Sequence, residues 1–221
     1  MATIMNLTEL VFILDRSGSM NGLESDTIGG FNSMLKKQKE QPGNCRITTV
    51  LFNDTNEVLH DRIDIKAVGE ITSREYFVSG CTALLDAVGK TIKKINQVQK
   101  NTADDYRANK VLFVITTDGM ENASKEYSYD KVKKMVEKQK KKHNWEFIFL
   151  GANIDAVNVA NRFGVEKNRA VNFHNDSEGI ALNYAVLCET MSNYRAAPQN
   201  ANIAPNWGDK ISTDYKNREK A

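Results

Sequence analysis

Apolar positions along this chain follow two different periods. Unbroken runs at residues 10–14 and 111–115 read as strands buried on both faces, and residues 145–150 give another. The stretches around them repeat at helical spacing. Residues 22–40 place Ile28, Phe31 and Leu35 on one face and turn Lys36, Lys37 and Lys39 to solvent. Gly29-Gly30 lowers the helical propensity there, so either a neighbour approaches the backbone closely or the helix is irregular. Pro42-Gly43 ends it. Residues 83–99 carry the clearest stripe: Leu84, Ala87, Val88, Thr91, Ile92 and Ile95.

Residues 46–52 and 57–63 read as strands joined by a short polar link, the mark of an antiparallel hairpin. Residues 101–109 form a polar linker. Residues 129–142 are amphipathic through Val132, Met135 and Val136, with Ser128 as cap. A short helix at 154–163, a strand at 170–173 and a helix at 177–194 follow. This alternation predicts an α/β fold: a doubly wound, mostly parallel sheet with helices on both faces. Residues 195–221 are polar, hold two of the three prolines, and read as a tail or surface-wrapping extension beyond a domain at 1–194.

The first strand ends in Asp15-Arg16-Ser17-Gly18-Ser19. Ligands of open α/β sheets bind at that end of the strands. One carboxylate and two hydroxyls within five residues are all oxygen donors, which suit Mg²⁺ or Mn²⁺ before Zn²⁺ or Cu²⁺. An ion held largely by neutral hydroxyls keeps much of its charge and attracts an anionic ligand.

D-x-S-x-S after a buried strand resembles the opening of the metal-ion-dependent adhesion site of von Willebrand factor A domains. Gly80-Cys81-Thr82-Ala83-Leu84-Leu85-Asp86-Ala87 resembles that family's threonine loop, with Thr82 at the ligand position. Val111 to Gly119 resembles the strand and turn that deliver its aspartate, here Asp118. Taken singly, Asp15 and Asp118 would read as turn formers or helix caps. The three parts in the family's order make the pattern specific. The resemblance covers residues 8–194. It implies one antiparallel edge strand and a metal set of Asp15, Ser17, Ser19, Thr82 and Asp118. It further implies a non-enzymatic binding module whose Mg²⁺ or Mn²⁺ recruits a Glu or Asp from a partner protein. The compact layout looks most like bacterial or phage intracellular members, some of which work beside AAA+ ATPases or in stress-resistance complexes.

A net charge of +2 creates no global field toward nucleic acid, and no apolar stretch approaches membrane-spanning length. Residues 1–6 lack the basic and apolar segments of a signal peptide. Cys45, Cys81 and Cys188 are odd in number and scattered, which argues against a disulfide framework and for a reducing, cytoplasmic setting. The sequons at Asn6, Asn53, Asn122 and Asn175 are then chance matches.

A Mg²⁺-dependent phosphatase-like hydrolase is the alternative. Such enzymes also place Asp after a buried strand, but with a second Asp two residues on as general acid. Ser17 stands there. No G-x-S-x-G elbow accompanies His60, His143 or His174. The run Lys138 to His143 reads as solvated cations at a helix carboxyl end, with an accessory electrostatic contact as the sharper possibility. Arg16 is placed to pair with a partner's acid, Cys81 reads as a small buried residue, and Asn153 as a helix cap or, with Asp155, as lining of the site; Glu121 to Ser124 read as a rim or outer surround of the ion or as a cap of the next helix.

Overall fold

The computed structural model describes residues 6–219; residues 1–5, which the leader reading included, lie outside it. Six strands form one sheet: β1 (Leu7–Asp15), β2 (Asn44–Phe52), β3 (Asn56–Asp64), β4 (Lys110–Thr117), β5 (Glu146–Gly151) and β6 (Ala170–Asn172). The order across the sheet is β3-β2-β1-β4-β5-β6. All neighbours are parallel except β2 and β3, which form the expected antiparallel edge.

Alternate side chains of β1 explain its unbroken apolar run. Leu10, Phe12 and Leu14 pack under α1 (Glu24–Glu40), α5 (Ser177–Ala196) and α6 (Asp209–Arg218). Val11 and Ile13 pack under α2 (Leu84–Asn101), α3 (Tyr129–His143) and α4 (Ala156–Arg162). Both faces are dry, so neither register position tolerates water. Glu9 interrupts the strand at full burial, but Arg62 Nε reaches its carboxylate at 2.7 Å and Gln99 donates from the other side. An ion pair buried this way persists only because its hydrogen bonds are supplied.

Helix α1 passes so close to α5 that a Cβ on Gly30 would lie 2.2 Å from the Tyr184 ring, whereas Gly29 faces open space. Close approach, not irregularity, is the reason for that glycine. Two buried cations satisfy the carbonyls that helix ends leave unpaired. Lys110 Nζ donates to Tyr194 O at 2.6 Å and to Ala197 O, closing α5. Arg195 Nη1 donates to Gln38 O at 2.6 Å, and its Nη2 reaches Gly43 O at 3.3 Å, closing α1.

Several boundaries move for local reasons. Helix α4 begins at Ala156 because Asp155 accepts from the Asn158 amide and acts as the cap, leaving Asn153 outside with φ 55°. The polar linker after α2 contains a single 3-10 turn at Asp104–Tyr106. After α5 the chain wraps back over the sheet. Ile203, Trp207 and Ile211 are buried in the same core as α1 and α5, and the Trp207 indole donates to Asn168 O at 2.9 Å. No helix among the described residues is long and apolar enough to cross a membrane.

The chain fills the sheet outward from β1 on one side and from β4 on the other. The crevice between their carboxyl ends is therefore the topological switch point. Asp15 ends β1, and Asp118 follows β4 directly.

Candidate metal centre

Register builds the site first. Leu14 pairs with Thr116, so Asp15 lies beside Thr117, whose hydroxyl donates to Asp15 Oδ2 at 2.6 Å. The turn after β1 then folds back on itself. The Ser17 amide donates to Asp15 Oδ1 at 2.7 Å, and the chain closes into a 3-10 turn at Gly18–Met20. Tyr76, fully buried, donates its hydroxyl to the Asp15 carbonyl at 2.6 Å and anchors the strand end from below.

The threonine loop arrives through backbone contacts. Gly18 N donates to Gly80 O at 3.0 Å, and Ala83 N donates to Asn53 O at 2.9 Å. The Thr82 amide meets Asn122 Oδ1 at 2.9 Å, while the Thr82 carbonyl accepts from the Asn122 amide at 3.0 Å. Thr82 is thereby held between the two loops that flank it.

All five side chains expected at the site come together. Thr82 Oγ1 donates to Ser17 Oγ at 3.1 Å, Ser17 Oγ lies 3.1 Å from Ser19 Oγ, and Ser19 Oγ donates to Asp118 Oδ1 at 2.6 Å. Asp15, Ser17, Thr82 and Asp118 are buried, whereas Ser19 is exposed and marks the open side. A Cβ on Gly119 would lie 3.3 Å from Ser19 Oγ and 3.5 Å from Thr82 Oγ1, so the absence of a side chain there keeps the hydroxyl cluster clear.

The electrostatics are those of a site short of positive charge. Burial pushes the Asp15 carboxyl up to about 6, against hydrogen bonds from Ser17 and Thr117 that favour its ionised form. Burial likewise raises Asp118, opposed by Ser19 and Asn175. Among the described residues neither carboxylate has an ion-pair partner. A divalent cation fits this donor set, because it supplies the missing charge to two buried carboxylates and accepts three hydroxyl oxygens. No group of three or more His, Cys, Asp or Glu gathers among the described residues; the candidate centre here is instead a mixed one, two carboxylates and three hydroxyls.

Three neighbours escaped the sequence reading. Thr117 lies beside Asp118 in sequence, but its aim at Asp15 depends on the β1–β4 register. Asn122 was legible only as one of residues 121–124, as rim, surround or cap, with no sign that it holds the Thr82 amide. Asn175 donates from Nδ2 to Asp118 Oδ2 at 3.0 Å. The available signal for it was position, since it follows the last strand at the ligand-binding end of the sheet. Other readings need correction. Arg16 is buried and turned inward, with Nη1 2.8 Å from Glu57 Oε2, so it is not free for a partner's acid. Cys81 is exposed, because the loop turns its side chain out when Thr82 turns in. Asn153 lies near the site, its Nδ2 3.4 Å from the Asp118 carbonyl. Glu121 caps not the next helix but α2, which precedes it, accepting from the Leu85 amide at 2.8 Å.

No family model matches this sequence, and no curated protein matches it. Solved structures do. The von Willebrand factor domain of the type V pili tip protein Mfa5 from Porphyromonas gingivalis matches with a TM-score of 0.59 at 10% identity, covering 89% of this chain and 98% of that one. Manganese-loaded TRAP protein from Plasmodium vivax gives 0.57 at 17% identity, covering 80% and 72%. Proximal thread matrix protein 1 from the mussel byssus, with a zinc-occupied adhesion-site motif, gives 0.57 at 11%, covering 87% and 47%. The chain spans about half the length of that protein and of several other matched structures. At these identities the likeness is one of architecture: a six-stranded, mostly parallel sheet with one antiparallel edge and helices on both faces, which is the von Willebrand factor A fold.

Proposed function

We propose that this chain is a divalent-cation-dependent protein-binding module. The observation that carries the reading is the convergence of Asp15, Ser17, Ser19, Thr82 and Asp118 at the switch point, with both carboxylates buried and without a cationic partner. Zinc and manganese in structural neighbours support a divalent ion. The oxygen-only donor set favours Mg²⁺ or Mn²⁺ here. These side chains would hold the ion, and the exposed side at Ser19 is where a partner's Glu or Asp would complete its coordination. A bound ion supplies an electrophile; the protein supplies a rigid hydroxyl bed that leaves the ion's charge largely intact.

An enzyme reading has less support. A phosphatase-like hydrolase needs a proton donor two residues after the first Asp, and that position holds the Ser17 hydroxyl, which is engaged with Ser19 and Thr82. Three free cysteines favour a reducing, cytoplasmic setting, and the compact layout supports a member of the bacterial or phage intracellular type. For the partner, we propose an acidic surface on an AAA+ ATPase or a stress-resistance complex.

Calorimetric titration with Mg²⁺ and then Mn²⁺ tests the site. Saturable binding that Asp118→Ala abolishes is expected; equal heats from wild type and mutant would overturn the proposal. Capture of partners in Mg²⁺ against EDTA, and turnover of a generic phosphate ester, then separate binding module from hydrolase.

A further inference from the structure

The loop between β6 and α5 is only four residues long, Phe173 to Asp176, and it is gripped from both sides. Inward, Asn175 Nδ2 donates to Asp118 Oδ2 at 3.0 Å, while Ser19 holds the other oxygen, Oδ1. Both oxygens of that carboxylate are thus fixed, and its rotation is stopped. Asn175 Oδ1 is buried without a hydrogen-bond partner. A buried acceptor left open beside a candidate metal centre is costly unless a donor arrives with the ligand, as a metal-bound water or a partner's N–H would.

Outward, α6 holds the same loop. The His174 ring stacks on Tyr215 with centroids 4.7 Å apart at 25°, and its Nε2 lies 3.1 Å from Tyr215 O. Arg218 pairs with the Asp176 carboxylate through Nη2, and Asp214 steadies Arg218 at 3.3 Å. Asp176 also caps α5 through the Gly179 amide at 2.8 Å. The two residues flanking Asn175 are therefore both tied to α6, and Asn175 between them has little freedom to leave Asp118.

We infer that Asn175 is a positioning residue of the metal centre, and that the carboxyl-terminal extension, through Tyr215 and Arg218, sets the affinity of that centre. The inference rests on the metal-binding reading above. Partners of metal ligands tune affinity strongly, by about 10- to 100-fold when removed. The extension is then part of the site's machinery, although no hydrogen bond or ion pair among the described residues joins α6 to the five candidate ligands.

The test is a double-mutant cycle read by Mg²⁺ and Mn²⁺ calorimetry on the full chain, with melting of the metal-free protein measured in parallel. Asn175→Ala is expected to weaken Mg²⁺ binding about tenfold and leave the metal-free melting temperature nearly unchanged. Arg218→Ala is expected to weaken binding in the wild-type background and to add nothing in the Asn175→Ala background. Lys210→Ala serves as the control, since Lys210 lies on α6 but pairs with Glu189 of α5 at 2.7 Å; its binding should equal wild type. Full additivity of Asn175→Ala and Arg218→Ala in binding would overturn the coupling. Wild-type affinity in Asn175→Ala, with Asp118→Ala inactive, would overturn this inference and spare the metal site. Absence of metal binding in wild type itself would remove both.

Discussion

Asp15 shows how much a single residue's role depends on what surrounds it. The residue is 2% exposed, and its carboxylate takes hydrogen bonds from the Ser17 amide and the Thr117 hydroxyl. Thr117→Val keeps the shape and removes one donor, freeing the carboxylate to rotate. Metal affinity is expected to fall about tenfold, and titration calorimetry checks it. The cysteines give a second prediction at this scale. Burial pushes the Cys45 thiol up to about 12, so it carries almost no thiolate near neutrality. Cys81 is exposed. A thiol reagent at pH 8 should modify Cys81 in the native protein and reach Cys45 only after unfolding; fast native labelling at Cys45 would contradict its burial. Cys81 and Arg16 also mark the limit of single-residue reading, since neighbours in sequence gave no sign of which side chain turned inward.

At the scale of elements, Asp86 joins α2 to the loop that follows β4. Its carboxylate accepts from the Lys125, Glu126 and Tyr127 amides at 2.9–3.0 Å. Burial opposes its ionisation, but those three amides win and hold its carboxyl below the usual carboxylate range. A lowered folded value means stability that is present above the unfolded value, near 3.9, and is lost as pH falls through the folded one. Asp86→Ala is expected to cost about 2 kcal/mol at pH 7 by removing the charged acceptor that three partly exposed backbone amides share. Its denaturant midpoint should also fall less steeply with acid than wild type below about pH 4. An equal acid slope in both proteins would assign the effect elsewhere. The stripe that made α2 the clearest helix in sequence also placed Asp86 beside those amides. The loop from residue 68 to 79 was illegible, because its buried Ile71 and Tyr76 have no period and are fixed by contacts with α1 and the end of β1.

For the whole molecule, the extension is the informative part. Composition marked residues 195–221 as polar, yet Ile203, Trp207 and Ile211 lie in the main core. Trp207→Ala is expected to destabilise by about 3 kcal/mol, measured by urea unfolding; a change under about 0.5 kcal/mol would show that the extension only rests on the surface. Three core residues spaced four apart among many polar and small ones are too sparse to mark an element, so their burial follows from where the end of α5 delivers the chain.

The sequence alone determined the sheet and the oxygen donors of the first turn, and its resemblance to the von Willebrand factor A site implied Thr82 and Asp118 as further candidate ligands. Unbroken apolar runs demand two covered faces, and an Asp-Ser-Ser turn at such a strand's end offers oxygen donors where α/β sheets bind ligands. Tertiary structure alone decided the strand register that aims Thr117 at Asp15, the inward turn of Arg16, and the placement of Asn175 under α6. The reason is physical. Periodicity and local spacing report which face of an element is apolar, whereas these contacts join residues 41 to 102 positions apart, and no local pattern records such meetings.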